Sequence, residues 1–447
     1  MTESRPSFAS RLGLNRPELR AWAMYDWANS AFMTTIVGAM FPIYFQKVAS
    51  AGLPPARADS LYAASTAIAL TIIALVSPVL GALADYAGVK KRMLGVFVAI
   101  GTTATASMVL IGRGDWLLAA ALFVVANIGV SGGFAFYDSL LPHIAGPHEI
   151  DRVSSAGYAV GYLGGGLLLA LNLAWYTWPT RFGLPDTSAA VRLSFLSVAV
   201  WWVAFSIPLF RTVPEPPVTG AGRVTGAGPL ASAAFRQLAD TFRELRTFRH
   251  ALLLLAAFLL YSDGINTIIR MAAIYGGRLG IADRDVILAF LLVQVIGVPC
   301  AFLFGALASR IGAKQAIFLA LVVYLGISVL GYSMTSTTEF YLLALLVGTV
   351  QGGSQALSRS LFASMIPKAR SSEFFALFGV LEKFSGIIGP WVFALIIGTT
   401  GNSRLAVLSV VAFFLGGGAL LAMVDVRAGR RTAEAANLRP ADLSPQS

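Results

Sequence analysis

Asp26, Asp138, Asp263, Arg270, Arg359, Glu382 and Lys383 are ionisable residues set inside long apolar runs. A charge costs at least about 2.5 kcal/mol at the middle of a bilayer, and it persists there against a polar interior, a partner or a passing ion. The chemistry open to such residues is the binding of a charged or zwitterionic solute, gated ion pairing, or proton carriage. Bond-making chemistry has no counterpart in the sequence. No recognisable motif sets a nucleophile beside a base, and no His, Cys or Glu cluster has metal-ligand spacing, so no catalytic residue, metal or cofactor is expected. Asp26 and Asn29 lie within Trp22–Met33, WAMYDWANSAFM, where an apolar stretch running to Phe45 begins. Asp263, Asn266, Thr267 and Arg270 fall at i, i+3, i+4 and i+7, which is one polar face of an otherwise apolar helix. Gln351, Gln355 and Arg359 recur every fourth residue, a stripe able to hold a carboxylate or to bond neighbouring helices.

The elements that position these residues must be membrane spans. Hydrophobic residues make up 57% of the 447, charged residues 12%, and the mean hydropathy is +0.74; soluble domains use roughly 25% charged residues. A helix rising about 1.5 Å per residue needs about 20 apolar residues to cross about 30 Å of hydrocarbon. Twelve stretches meet that requirement: 21–46, 60–84, 93–112, 116–141, 153–177, 189–210, 250–277, 285–308, 314–333, 339–363, 372–399 and 404–425. Asp263 then lies roughly 20 Å from the start of its span and Lys383 roughly 17 Å from its own, both near mid-bilayer. Asp26, Asp138 and Arg359 lie closer to the face that holds the termini.

The net charge of +11 follows topology. With these spans, 22 of the 33 Lys and Arg fall on the side of both termini, 8 on the other side and 3 within helices. The positive-inside rule puts both termini in the cytoplasm, and nucleic-acid binding needs no place in the account. The first 20 residues carry Arg5, Arg11, Arg16 and Arg20 without a short apolar core and cleavage site, so the first span is expected to stay as an anchor. The single cysteine, Cys300, allows no intrachain disulfide and is read as packing. Gly157, Gly161 and Gly165 share one face of the fifth span and are read as a close helix contact. His143 and His148 are read as solvated loop residues. The absence of a Walker-type lysine loop speaks against an ATP-driven pump.

The chain repeats itself. GALADYAGVKKRM at 81–93 and GALASRIGAKQAI at 305–317 align at an offset of 224, and Ser139-Leu140 aligns with Ser360-Leu361 at 221. Gly161 and Gly164 align with Gly386 and Gly389 at 225. The chain divides accordingly into a cytoplasmic segment (1–20), a six-helix half (21–210), a cytoplasmic linker (211–248), a second six-helix half (249–425) and a cytoplasmic tail (426–447). The linker ends in an Arg-rich amphipathic segment suited to an anionic lipid surface.

The loop Gly81, Leu83, Asp85, Gly88, Lys90 and Arg92, set between two spans of a duplicated six-helix unit, resembles the signature loop of the major facilitator superfamily. The stretches YDWANSAF (25–32), FYDSLLPHIAGPHEIDRVSSAGYAVGYLGGG (136–166), YSDGINTII (261–269) and QALSRSLFASMIPKARSSEFFALFGVLEKFSGIIGP (355–390) are similar to its vacuole-effluxer-like branch, which includes autophagy-related fungal proteins associated with amino-acid efflux. The resemblance implies an all-α polytopic membrane protein of 12 transmembrane helices in two pseudo-symmetric halves. It implies that the loop is a charge-relay latch, with the second copy in doubt because Ser309 stands where the first has Asp85. It implies that the first, fourth, seventh and tenth helices line a central cavity, and these carry Asp26, Asp138, Asp263 with Arg270, and Arg359. Asp26, Asn29, Asp263, Asn266, Arg270, Gln355 and Lys383 are then candidates for substrate binding or proton coupling. Asp138 and Arg359, at matching positions of opposite sign, form a candidate gate or a static ion pair. The expected activity is secondary transport of small zwitterionic or anionic metabolites, amino acids first, by a monomer in the lipid bilayer, in the inner membrane if the source is bacterial. Proton coupling, with Asp26 or Asp263 as carrier, stays open. Two alternatives remain: proton-coupled efflux of amphiphilic or toxic compounds, and a non-transporting lipid-handling or signalling component.

Overall fold

A computed structural model describes residues 14–87, 89–145, 150–215, 236, 239–240, 242–367 and 371–438. All regular structure among them is helical. The first six passes are α1 (Pro17–Ala49), α2 (Pro55–Ala87), α3 (Lys90–Ser107), α4 (Trp116–Ile144), α5 (Ile150–Thr177) and α6 (Thr187–Thr212). After the linker come α7 (Arg249–Arg278), α8 (Asp283–Ile311), α9 (Ala313–Ser333) and α10 (Thr337–Ala363). The span expected at 372–399 is broken: α11 (Ser371–Phe384) and α12 (Ile388–Thr400) are separated at Gly386, whose φ is +94°. The conformation there is one that glycine alone adopts without strain, and the apolar pattern cannot report it. α13 (Ser403–Ala422) and a short tail helix, α14 (Val426–Leu438), complete the chain.

Local chemistry sets the helix ends. Pro17 and Pro55 stand at first helical positions, where no N–H is needed. Ser336 and Glu339 form a reciprocal capping box on α10, Asp186 caps α6, and Asn402 caps α13. α1 departs from the α-helix over Phe32–Met40 and Phe45–Ala49, which wind as wider π-helical turns. Such turns are rare and concentrate at functional sites.

The face from which α1 and α7 start is here the terminal face, and the opposite one the far face. The C-terminal half packs around its own core of Phe258, Tyr324, Phe362, Phe378 and Phe414. The N-terminal core, around Phe41, Phe123 and Trp202, continues into Met271, Tyr275, Val286 and Ile397, which are residues of the other half near the far face. The two halves therefore share apolar packing at that face. Leu245 and Phe248 of the linker are buried against the start of α7.

Candidate functional site

A cavity of about 320 Å³ lies between the halves. Its polar wall is built from Asp26, Asn29, Ser30 and Thr34 of α1, Asn266, Thr267 and Arg270 of α7, and Gln351 and Gln355 of α10. Phe134 of α4, Tyr158 and Tyr162 of α5, and Phe290, Val293 and Gln294 of α8 complete much of the rest. Of the expected binding residues, Asp26, Asn29, Asn266, Arg270 and Gln355 thus converge on one space, while Asp263 stands behind it and the Lys383 side chain lies outside the described ones.

Asp26 is 7% exposed and accepts a 2.8 Å hydrogen bond from the Tyr137 hydroxyl. Tyr137 is held by stacking on Trp22 at 4.4 Å, and the Trp22 indole donates to the Tyr137 carbonyl. The α5 glycines make room for this carboxylate: a Cβ at Gly157 would press on Asp26 Oδ2 and Trp22, and one at Gly161 would come within 2.6 Å of Ser30 Oγ. The glycine face read as a helix contact is therefore the seat of α1.

Asp263, on the first helix of the other half, is held by a different solution. The break in the eleventh pass exposes the first N–H groups of α12, and Asp263 receives both, from Ile388 at 3.0 Å and from Gly389 at 2.9 Å. A carboxylate at a helix N-terminus satisfies donors that would otherwise be orphaned and meets the positive end of the helix dipole. Asn266 donates to Ser385 within the same break, at 3.2 Å. Asp263 is thus a buried tie between α7 and α12, which is a tighter engagement than an open binding group would have.

Arg359 pairs with Glu382 of α11 at 2.7 Å and lies over the Tyr158 ring at 5.5 Å. Asp138 is within its electrostatic reach. In the signature loop, Gly81 and Asp85 close α2, Gly88 lies outside the described residues, and Lys90 and Arg92 open α3. Lys90 Nζ stands 3.1 Å from His143 Nε2, so His143 belongs to the end of α4 and not to a loop; His148 is outside the described residues. Lys91 Nζ donates to the Val213 carbonyl.

Sequence reasoning missed the polar clasp at the far face. Asp59 of α2, 1% exposed, pairs with Arg278 of α7 and accepts a 2.9 Å bond from Gln46, whose amide also donates to the Ile274 carbonyl. Asp283 of α8 binds Lys47 at 2.7 Å and the Tyr176 hydroxyl at 2.6 Å. The Ser60 hydroxyl donates to the Ala394 carbonyl. All of these but the Gln46–Asp59 bond cross between the halves. Lys47, Asp59, Arg278 and Asp283 all fall one or two residues beyond the expected span limits, where charge reads as loop. The available signal was that they alternate in sign across facing span ends.

A family model described as "Vacuole effluxer Atg22 like" matches residues 54–434. The chain is 34% identical over 406 residues to an uncharacterised major-facilitator-type transporter of Bacillus subtilis, YxiO, covering 90% of this chain and 94% of that one. It is 30% identical over 311 residues to autophagy-related protein 22 of Yarrowia lipolytica, covering 63% and 52% respectively. Among solved structures, a D-xylose-proton symporter superposes with a TM-score of 0.66 at 16% identity, covering 91% of this chain and 96% of that one. That likeness establishes the fold: twelve passes in the major facilitator arrangement.

Proposed function

The chain belongs to the vacuole effluxer Atg22-like family of the major facilitator superfamily, and from that premise we propose that it is a secondary transporter of small zwitterionic or anionic metabolites, amino acids first, working by alternating access. The observation that carries this reading is a cavity between the halves combined with a clasp of cross-half hydrogen bonds and ion pairs at the far face. A clasp of cross-half bonds closes the far face, while polar groups of the cavity reach down to Asp26 toward the terminal face. The excess of Lys and Arg on the terminal face supports its cytoplasmic placement. The molecule is then in its inward-facing state, and Arg359, Glu382 and Asp138 are the groups that re-pair when the terminal face closes. Asp26, lining the cavity with a neutral Tyr137 as its partner, is the better candidate for proton carriage than the tied Asp263.

The test is counterflow in liposomes reconstituted with the full chain and loaded with a mixture of unlabelled amino acids. Uptake of labelled amino acid that is absent from empty liposomes and lost in Asp26→Asn is the expected result. Uptake unaffected by loading, or equal in empty liposomes, removes the transport reading. The aromatic wall of Phe134, Tyr158, Tyr162 and Phe290 also favours amphiphilic cargo. Displacement of amino-acid uptake by amphiphilic cations, without competition among amino acids, would select that second reading.

A further inference from the structure

Arg270 is buried at 7% exposure and lines the cavity, and among the described residues the hydrogen-bond partner of its guanidinium is neutral, the side-chain Oδ1 of Asn127 at 3.3 Å. None of the ion pairs formed among the described residues includes it. The ionisable neighbour within reach is the Tyr62 phenol. Asp263, seven residues earlier on the same helix, is engaged by the N–H groups of Ile388 and Gly389, Asp59 by Arg278 and Gln46, and Asp26 by Tyr137. A guanidinium taken out of water carries a large desolvation cost, and a protein that keeps one without an internal counter-charge keeps it for something that arrives.

A second observation concerns Asn29. This residue is fully buried, faces the same cavity, and neither its amide oxygen nor its amide nitrogen has a partner. The Gln351 side-chain oxygen, on the cavity wall of α10, is likewise unpartnered. The levels match. The Tyr62 hydroxyl bonds the carbonyls of Val37 and Arg270, which sets Arg270 beside Val37, eight residues from Asn29 along α1. Eight residues span about 12 Å at the α-helical rise, and the bond of the guanidinium to Asn127 keeps it near the level of Val37, since Phe123, four residues before Asn127, stacks on Phe41, four residues after Val37. The guanidinium and the orphaned amide therefore line one cavity about 12 Å apart along its length, the reach of an extended small molecule.

We propose that Arg270 is the charge-reading residue of the cavity: it takes the carboxylate of a carboxylate-bearing ligand, while Asn29 and Gln351 take that ligand's hydrogen-bonding groups. This rests on the transporter reading for its biological use, and it narrows that reading, because the charge required of the cargo is negative. At this end of the cavity a ligand amine meets the neutral amide oxygens of Asn29 and Gln351, and the acid on the same wall is Asp26, three residues before Asn29.

The test uses the purified full chain in detergent and three matched probes: L-phenylalanine, 3-phenylpropanoate and L-phenylalaninamide. Both acids are expected to raise the apparent melting temperature of the wild type at millimolar concentration, and the amide is not. The shifts should vanish in Arg270→Gln and persist at reduced size in Arg270→Lys. Ligand-free Arg270→Gln and Arg270→Met should melt about 2 °C or more above wild type, since they remove an uncompensated charge. A lower melting point in both variants, equal stabilisation by the amide, or no stabilisation by either acid overturns the proposal. Counterflow reports separately: absence of flux with the stability pattern intact sinks transport and leaves the anion site standing.

Discussion

The Asp263 carboxylate takes the N–H groups of both Ile388 and Gly389, one on each oxygen. Asn at that position can accept on one side only and presents N–H to N–H on the other, so Asp263→Asn is expected to destabilise the protein by about 1–3 kcal/mol. A thermal melt in detergent checks this. Asp26 accepts one bond from Tyr137, which an asparagine oxygen reproduces. Asp26→Asn should therefore melt close to wild type while losing flux, and a melting loss as large as that of Asp263→Asn would count against the separation of roles. The sequence made both acids visible because each interrupts an apolar run. It could not tell them apart, because the difference lies in backbone donors supplied from more than a hundred residues away.

At the scale of elements, the two halves solve one problem twice. In each, an acid on the first helix packs against paired glycines on the fifth. In the first half α5 stays whole and a tyrosine serves the acid; in the second the helix breaks and its own backbone serves. Gly386 permits the break, and an alanine there would combine a positive φ with a Cβ about 3.1 Å from Asn266 Cβ. Gly386→Ala is expected to cost about 1–2 kcal/mol and to weaken the tie to Asp263, read as a lower melting temperature. The duplication was legible from aligned segments, and the glycine pairs with it. The break was not, since the apolar count across 372–399 is that of an ordinary span. The tail helix offers a pH-dependent contact outside the membrane. The Ala428 N–H holds the Asp425 carboxyl below the usual aspartate range, while the Asp425 N–H donates to His250 at the start of α7. A depressed carboxylate supports the folded state above its unfolded pKa and loses that support as pH falls through the folded one. Proteolysis within Val426–Leu438 should stay slow near neutral pH and accelerate as pH drops below about 4. Asp425→Ala should show the fast rate at every pH.

For the whole molecule, the balance between states is set at the far face. Lys47 is half exposed and its pair with Asp283 adds little in water, whereas Asp59 is buried and breaking its pair with Arg278 leaves a charge stranded. Removing one partner of such a pair costs about 3–5 kcal/mol, which is a change of at least about a hundredfold in the ratio of closed to open forms. In a Cys300→Ser background with a reporter cysteine at Gln294, Arg278→Gln should speed labelling by a membrane-impermeant maleimide added from the far face. Unchanged labelling would remove the clasp from the account of alternation. The twelve passes and the buried charges were readable from sequence because lipid imposes a length and punishes stray charge, whereas the cavity helices came from the family resemblance, which did not announce the share of α5 and α8 in the wall. The clasp was not, because at helix ends a charge is cheap and carries no such warning. Arg278 and Asp283 have one more property in common: they stand at the two ends of a single four-residue connection, 279–282, between α7 and α8. So short a strap cannot release one anchor and keep the other unstrained. The strap is the handle of the molecule, and an antibody fragment or peptide that seized it would arrest the cycle without competing with cargo, giving an inhibitor whose potency no concentration of substrate could erode.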